Sequence, residues 1–302
     1  MVYGIRRKVT YSYKPGLYGG LVFLYSTQNA ELLAIMNDGY IQHLRVAATV
    51  ALGIRYLARK DSKIMGIYGS GAFARFIPLA TIQERPIERL QAYSPNREHL
   101  TQYCEEMARR LNRDVIPMKS PEAVARGTDI ICTCTTSLEP VLKLDWIKPG
   151  MHVNNIMPWE LGPDVCERVD VVGILVRRTP MSVASYIDDD FGIRLNVMSY
   201  AGGRPDERAK IPIGSPNPNR FPNAKIVEVR NWETGESYNR QESEVTILAN
   251  ASKGTLEGDA VGSSGIQGVQ LAAVAGRIYE RARENKLGLE LPTEMFLQDI
   301  PT

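Results

Sequence analysis

The residues best placed to do chemistry are Gly69-Ser70-Gly71-Ala72-Phe73-Ala74, directly after the apolar run Ile64-Met65-Gly66-Ile67-Tyr68. A short strand that runs into a Gly-x-Gly-x-x-Ala turn, with an apolar helical stretch behind it, is the arrangement a dinucleotide pyrophosphate needs. Gly69 permits the tight turn, and Gly71 lets the backbone approach the phosphates without a Cβ in the way. Ala74 lets the helix lie close to the strand, while free N–H groups at the helix start face the anion. Short glycine patterns recur by chance; the flanking strand and helix make Gly69, Ser70, Gly71, Ala72, Phe73 and Ala74 an expected cofactor cradle.

The end of the next strand bears on the type of nicotinamide. A carboxylate there accepts hydrogen bonds from the ribose 2′-OH and favours NAD, whereas a neutral or basic loop tolerates a 2′-phosphate. This strand ends Tyr93-Ser94-Pro95-Asn96-Arg97, with no acid. Ser94 and Asn96 can hydrogen-bond a phosphate and Arg97 can pair with it, although the same residues read equally well as a solvated loop. NADP is preferred over NAD.

Arg45 stands among Leu44, Val46, Ala47 and Ala48 on a helical stretch. A guanidinium there needs a partner, and its fork suits a substrate carboxylate; composition alone favours a structural ion pair. His43, two residues away, points to another side of the helix and reads as structural. Cys132 and Cys134 share one face of an apolar strand without the second ligand pair of a metal site, so they read as small buried hydrophobes and no metal is expected. His152 has no nucleophile or acid pattern around it, and Asp188-Asp189-Asp190 reads as a solvated loop.

The elements that must position these residues follow from periodicity. Val9-Tyr11-Tyr13, Leu21–Tyr25 and Leu32–Met36 read as strands, and Tyr40–Arg59 keeps helical spacing. From Ile64 onward strand and helix alternate: strands at Ile64–Tyr68, Arg89–Tyr93, Asp114–Met118, Asp129–Thr133, Met151–Ile156 and Val169–Gly173, helices at Ala72–Glu84, His99–Leu111 and Ser120–Arg126. That alternation predicts an α/β fold with a doubly wound parallel sheet. Pro78 inside the first of these helices predicts a kink near Ala74. Residues 177–223 break the rhythm as an irregular insertion, and Val269–Asn285 closes the chain with a helix.

The chain has 302 residues, 44% hydrophobic and 23% charged, with a net charge of +2. One or two domains are expected, with no reason to expect nucleic acid or an anionic membrane as partner. No apolar run approaches the roughly 20 residues of a membrane-spanning helix, and Met1–Lys8 lacks a secretory core. Four cysteines without framework spacing point to reduced thiols in the cytoplasm.

Several motifs taken together resemble the ornithine cyclodeaminase and mu-crystallin family: Leu44-Arg45-Val46-Ala47-Ala48, Gly69–Ala74, Ala125-Arg126-Gly127-Thr128-Asp129-Ile130-Ile131, Thr135-Thr136-Ser137-Leu138-Glu139-Pro140-Val141-Leu142, Trp146–Asn154 and Glu244-Val245-Thr246-Ile247. The resemblance implies a Rossmann-type domain (59–259) set into a mixed α+β substrate and dimerisation domain made of both chain ends (1–58 and 260–302). It implies that Thr135, Thr136, Ser137 and Asn154 line the nicotinamide half of the cofactor site. Arg45 then holds the substrate carboxylate, reversing the reading from composition, together with Arg7 or Lys8 of Arg7-Lys8-Val9-Thr10; the two stay unseparated. The partners it implies are a small amino or imino acid and a second copy of the chain.

One departure shapes the expected reaction. Family cyclodeaminases carry an aspartate shortly after the stretch that here reads Val153-Asn154-Asn155-Ile156-Met157-Pro158-Trp159-Glu160-Leu161, and this chain lacks it. Deamination with ring closure thereby loses its main proton acceptor, while hydride chemistry does not need it. The expectation is an NAD(P)H-dependent oxidoreductase acting on the C=N bond of a small imino acid, or oxidising the matching amino acid. The alternatives are a cyclodeaminase in which Glu160, Asp164 or an insertion residue replaces the aspartate, and a ligand-binding homologue without turnover.

Overall fold

Strands that are apolar on both faces need cover on both faces, and this chain builds its larger core that way. The structure, a computed structural model, describes residues 20–157, 160–175, 221–231, 234–248 and 267–297. Eight strands form one parallel sheet: β3 (Ile64–Tyr68), β4 (Arg89–Tyr93), β5 (Asp114–Pro117), β6 (Ile130–Thr133), β7 (His152–Asn155), β8 (Val171–Ile174), β9 (Lys225–Glu228) and β10 (Thr246–Leu248). Their order across the sheet is β5-β4-β3-β6-β7-β10-β8-β9. From β3 the chain winds outward through β4 to β5, then returns past β3 to β6 and β7, which is the doubly wound arrangement predicted.

Side chains alternate across the sheet as the pleat requires. Met65, Ile67, Ile130 and Cys132 face one core with α1 (Gly39–Leu57), α2 (Ala72–Thr81) and α3 (Arg97–Leu111). Tyr68, Ile131, Val153 and Ile247 face the other, with α4 (Pro121–Ala125) and α5 (Pro163–Arg168). Cys132 and Cys134 behave as the sequence predicts: both are buried in the first core, and burial pushes the Cys132 thiol up to about 12.

The helix α1 sets the geometry of the rest. Val46, Val50, Ile54 and Leu57 recur at helical spacing and are wholly buried, each contributing roughly 1.5–3 kcal/mol of apolar burial. The Leu57 carbonyl accepts from Thr246 Oγ1 at 2.8 Å at the start of β10. A Cβ on Gly53 would meet Leu248 at 2.8 Å, at the end of the same strand. The helix therefore runs antiparallel to the strands, and Arg45, eight residues before Gly53, lies about 12 Å further toward and beyond their carboxyl ends. Arg85 fixes the opposite end of α1: its guanidinium donates to the carbonyls of Arg55, Ala58 and Arg59, each at 2.8 Å, which satisfies the last turn of the helix.

Pro78, where a kink is expected, falls inside a helix that continues past it. Helix α2 runs from Ala72 to Thr81, ending before the predicted Glu84, with Pro78 inside it. Proline has no N–H for the Ala74 carbonyl, and Tyr103 Oη from α3 donates to that carbonyl at 2.8 Å instead.

A smaller unit sits beside the large sheet. Strands β1 (Leu21–Tyr25) and β2 (Leu32–Asn37) pair antiparallel. Val22 and Ile41 pack there with Ala275 of α6 (Gln267–Glu284), joined by Leu24, Met36, Leu271, Val274 and Ile278. Residues from both ends of the described chain thus share this core. Val9–Tyr13, Asp188–Asp190 and most of the 177–223 insertion lie outside the described residues.

Candidate cofactor and substrate site

The sheet changes winding direction between β3 and β6, where ligands of doubly wound folds bind beyond the carboxyl ends of the strands. Two loops meet there: Gly69–Gly71 after β3, and Cys134–Ser137 after β6. Gly69 has φ +106°, and a Cβ on it would lie 2.5 Å from the Cys134 carbonyl oxygen. Its N–H donates to the Tyr93 carbonyl at the end of β4 (2.8 Å), and the Cys134 N–H donates to the Tyr68 carbonyl (2.9 Å). Only glycine satisfies both the backbone angle and the close approach at this position.

Gly71 differs. A Cβ there would meet nothing within 4 Å, and it is exposed, as is Ala72. Gly71 precedes α2 with no side-chain cap, so the helix start offers its N–H groups and dipole to open space, which fits an anion such as a pyrophosphate. Ala74 is wholly buried, as close helix–sheet packing requires. Phe73 turns its ring away toward α1, edge-on to His43 with ring centres 5.2 Å apart, leaving its backbone for a ligand. Arg75 braces the turn, donating to the Ser70 carbonyl at 2.5 Å and the Gly71 carbonyl at 3.1 Å, while its Nε donates to Glu106 at 2.8 Å.

On the β4 side, Ser94 is buried while Asn96 and Arg97 are exposed. Asn96 caps α3, accepting from the His99 N–H at 2.9 Å, so the helix begins at Arg97 rather than at the predicted His99. Arg97 Nη1 donates to the Met118 carbonyl at 2.8 Å. Part of the polar capacity expected for a phosphate therefore serves the loop itself.

On the β7 side a buried acid dominates. Glu160 is wholly buried and accepts four hydrogen bonds. Oε1 takes the Thr135 N–H (2.7 Å) and hydroxyl (2.8 Å), and Oε2 takes the N–H groups of Ile156 (3.1 Å) and Met157 (2.9 Å). Burial pushes its carboxyl up from the ordinary value, and the hydrogen bonds from Met157 and Thr135 oppose that. Thr135 Oγ1 in turn accepts from the Ser137 N–H at 3.1 Å. Thr136 is exposed between them. Asn154 is wholly buried, with Nδ2 3.7 Å from Cys132 Sγ and Oδ1 without a partner among the described residues.

Glu160 is thus no free proton acceptor in place of the missing aspartate, because both oxygens are committed to donors. Asp164 is exposed in the first turn of α5. A sequence signal for Glu160 existed: one acid amid Ile156, Met157, Pro158, Trp159 and Leu161 must be paired if it is buried. Its partners are not readable from that run.

Arg45 is 3% exposed. Its Nε donates to Gln42 Oε1 at 2.6 Å and Nη1 to Gln270 Oε1 on α6 at 2.9 Å. Both of these acceptors are neutral side-chain amides. His43 lies elsewhere, stacked on Phe76 at 5.3 Å, as its spacing predicts. Arg7 and Lys8 lie outside the described residues. Among the described residues, no three His, Cys, Asp or Glu side chains group as metal ligands.

The family model for the ornithine cyclodeaminase/mu-crystallin family matches residues 18–175, just over half of the chain. Delta(1)-pyrroline-2-carboxylate reductase of Bacillus cereus is 29% identical over 137 residues, 45% of this chain and 42% of that protein. Ketimine reductase mu-crystallin of Rattus norvegicus is 29% identical over 135 residues, again 45% and 42%. The matched stretch is therefore less than half the length of these relatives. Among solved structures, Thermococcus litoralis Delta(1)-pyrroline-2-carboxylate reductase in complex with NADH and L-proline superposes with a TM-score of 0.62, covering 89% of this chain and 73% of that one at 22% identity. That likeness shows the shared fold. The glycine turn at the switch point and the span of the match lead to one conclusion: this chain belongs to the ornithine cyclodeaminase/mu-crystallin family.

Proposed function

We propose that the protein is an NAD(P)H-dependent oxidoreductase that reduces the C=N bond of a small imino acid or oxidises the matching amino acid. The observation that carries this reading is the uncapped start of α2 at Gly71, open to space, at the point where the Gly69 turn meets the Cys134 carbonyl. In this reading Gly69–Ala74 cradle the pyrophosphate, and Ser94, Asn96 and Arg97 meet the adenosine ribose. The acid-free strand end favours NADP over NAD. Thr135, Thr136, Ser137 and Asn154 stand at the nicotinamide end.

Arg45, with Arg7 or Lys8, anchors the substrate carboxylate. Gln42 and Gln270 hold the Arg45 fork in one orientation, so little side-chain freedom is lost when a carboxylate binds. Lys8 is the candidate proton donor. The bound nicotinamide supplies the hydride, and the protein orients the two reactants.

The reading extends to assembly and location. Leu21, Phe23, Tyr25 and Ile35 are 43–57% exposed on the small sheet, an apolar face that suits a homodimer. The four cysteines are buried thiols without a disulfide, in keeping with a reducing cytoplasm. The sequence-based division into 1–58 with 260–302 and 59–259 belongs to the same proposal.

Incubation with NADPH or NADH and cyclic ketimine acids, and separately with ornithine and NAD⁺, tests it. Cofactor oxidation that depends on the ketimine is expected. Proline and ammonia formed without net cofactor change would show a cyclodeaminase, and tight cofactor binding with neither reaction would show a binding protein.

A further inference from the structure

Nothing in the fold requires a wholly buried carboxylate between β6 and β7. A leucine of similar size would fill the space without the cost of taking a charge out of water. Glu160 is instead held by donors from two loops, Thr135 from the loop after β6, and Ile156 and Met157 from the loop after β7, with the Thr133 hydroxyl at the end of β6 also acting on it. No described side chain offers it a positive charge.

The four donors leave little choice of geometry. Each oxygen takes two bonds from one loop, so the carboxylate plane fixes the separation and rotation of the two loops at once. The arrangement passes on through Thr135 Oγ1, which donates to Glu160 and accepts from the Ser137 N–H. The backbone of 135–137 is therefore set by Glu160 along one continuous hydrogen-bonded path. The glycine turn is held separately, by Tyr93 and Arg75. The two halves of the crevice touch at Gly69 and Cys134 but are hydrogen-bonded to different supports.

We infer that Glu160 is a positioning residue that holds the 135–137 and 156–157 loops in register for the nicotinamide end of the cofactor, while leaving the pyrophosphate cradle to its own supports. This rests on the oxidoreductase reading above. The residue touches neither cofactor nor substrate; it acts through Thr135 and Ser137.

The distinction can be read in ligand binding. ADP-ribose carries the adenosine, the pyrophosphate and the second ribose but no nicotinamide ring, so it reports on the cofactor site without the contacts to that ring. Glu160→Gln replaces one acceptor oxygen by an NH₂, so in either orientation at least one backbone N–H loses its acceptor and faces a donor. The expected result is NADH affinity weakened about tenfold or more, with ADP-ribose affinity within about twofold of wild type.

Unchanged affinity for both ligands in folded Glu160→Gln overturns the inference. So does an equal loss for both, which marks a general structural role. Should Glu160→Gln not fold, Glu160→Asp, which keeps the carboxylate but shortens its reach to both loops, is read by the same two titrations and against the same criteria. A wild-type protein that binds neither NADH nor NADPH overturns the cofactor reading itself, and the role of Glu160 with it.

Discussion

The Tyr103 hydroxyl on α3 donates to the Ala74 carbonyl on α2 at 2.8 Å, replacing the hydrogen bond that Pro78 cannot make. Burial pushes the Tyr103 phenol well above its ordinary value, so it stays a donor at any physiological pH. Tyr103→Phe strands the carbonyl in a dry site and should cost about 1–3 kcal/mol in urea unfolding. In a Pro78→Ala background the new N–H can serve Ala74, and the same substitution should cost distinctly less. Equal costs in the two backgrounds would show that the two residues are not coupled.

Gly69 and Gly71 should fail in different ways. Gly69→Ala forces φ +106° on an L-residue and drives its Cβ to 2.5 Å from the Cys134 oxygen, so stability should fall by roughly 1–3 kcal/mol. Gly71→Ala meets nothing in the protein and should leave the melting temperature near wild type while abolishing most dinucleotide binding. Calorimetric melting and NADH titration of both variants check this pair of outcomes.

His152 should make the protein acid-sensitive over a defined range. The ring is wholly buried, with Nδ1 2.9 Å from Thr246 Oγ1; that hydroxyl already donates to Leu57, so the ring proton sits on Nδ1. Burial, with Arg240 and Arg85 nearby, lowers its pKa to about 3. The folded value lies below the unfolded one, so the ring's contribution to stability is complete above about pH 6.5. It declines as pH falls from there toward 3, by up to about 4 kcal/mol. Urea unfolding of wild type and His152→Asn across that range should show a shallower decline for the variant; parallel curves would contradict the assignment.

Arg45→Gln should separate substrate from cofactor. The NADH dissociation constant should stay within about twofold, while kcat/KM for the imino acid falls about thirtyfold or more, the loss expected of a charged pair to a carboxylate. An unchanged kcat/KM would remove Arg45 from the substrate site.

Much of the fold was legible because it rests on local signals. The alternation from Ile64 to Thr133, the glycine turn and the long periodic helix α1 are each set by residues near one another in the chain. What escaped was short or non-local. Helix α5 and strands β9 and β10 lie after Thr133, where the regular alternation of strand and helix no longer marks each element. The insertion of β10 between β7 and β8 depends on pairing across roughly a hundred residues of sequence. Within the site, glycines reveal themselves by type and spacing. The hydrogen-bonded role of Glu160, the Tyr103 donor for Ala74 and the three carbonyls on Arg85 arise only when distant segments meet.

The central claim is that the nicotinamide is consumed as a hydride donor to a C=N bond, and isotope transfer tests it most directly. The protein should be incubated with NADH or NADPH carrying deuterium on the transferring face of nicotinamide C4 and with a cyclic ketimine acid, and the product analysed by mass spectrometry. The account predicts one deuterium on the α-carbon of the amino acid product and one oxidised cofactor per product molecule. Amino acid product free of deuterium, with the labelled cofactor unconsumed after exchange at both faces has been checked, would contradict it.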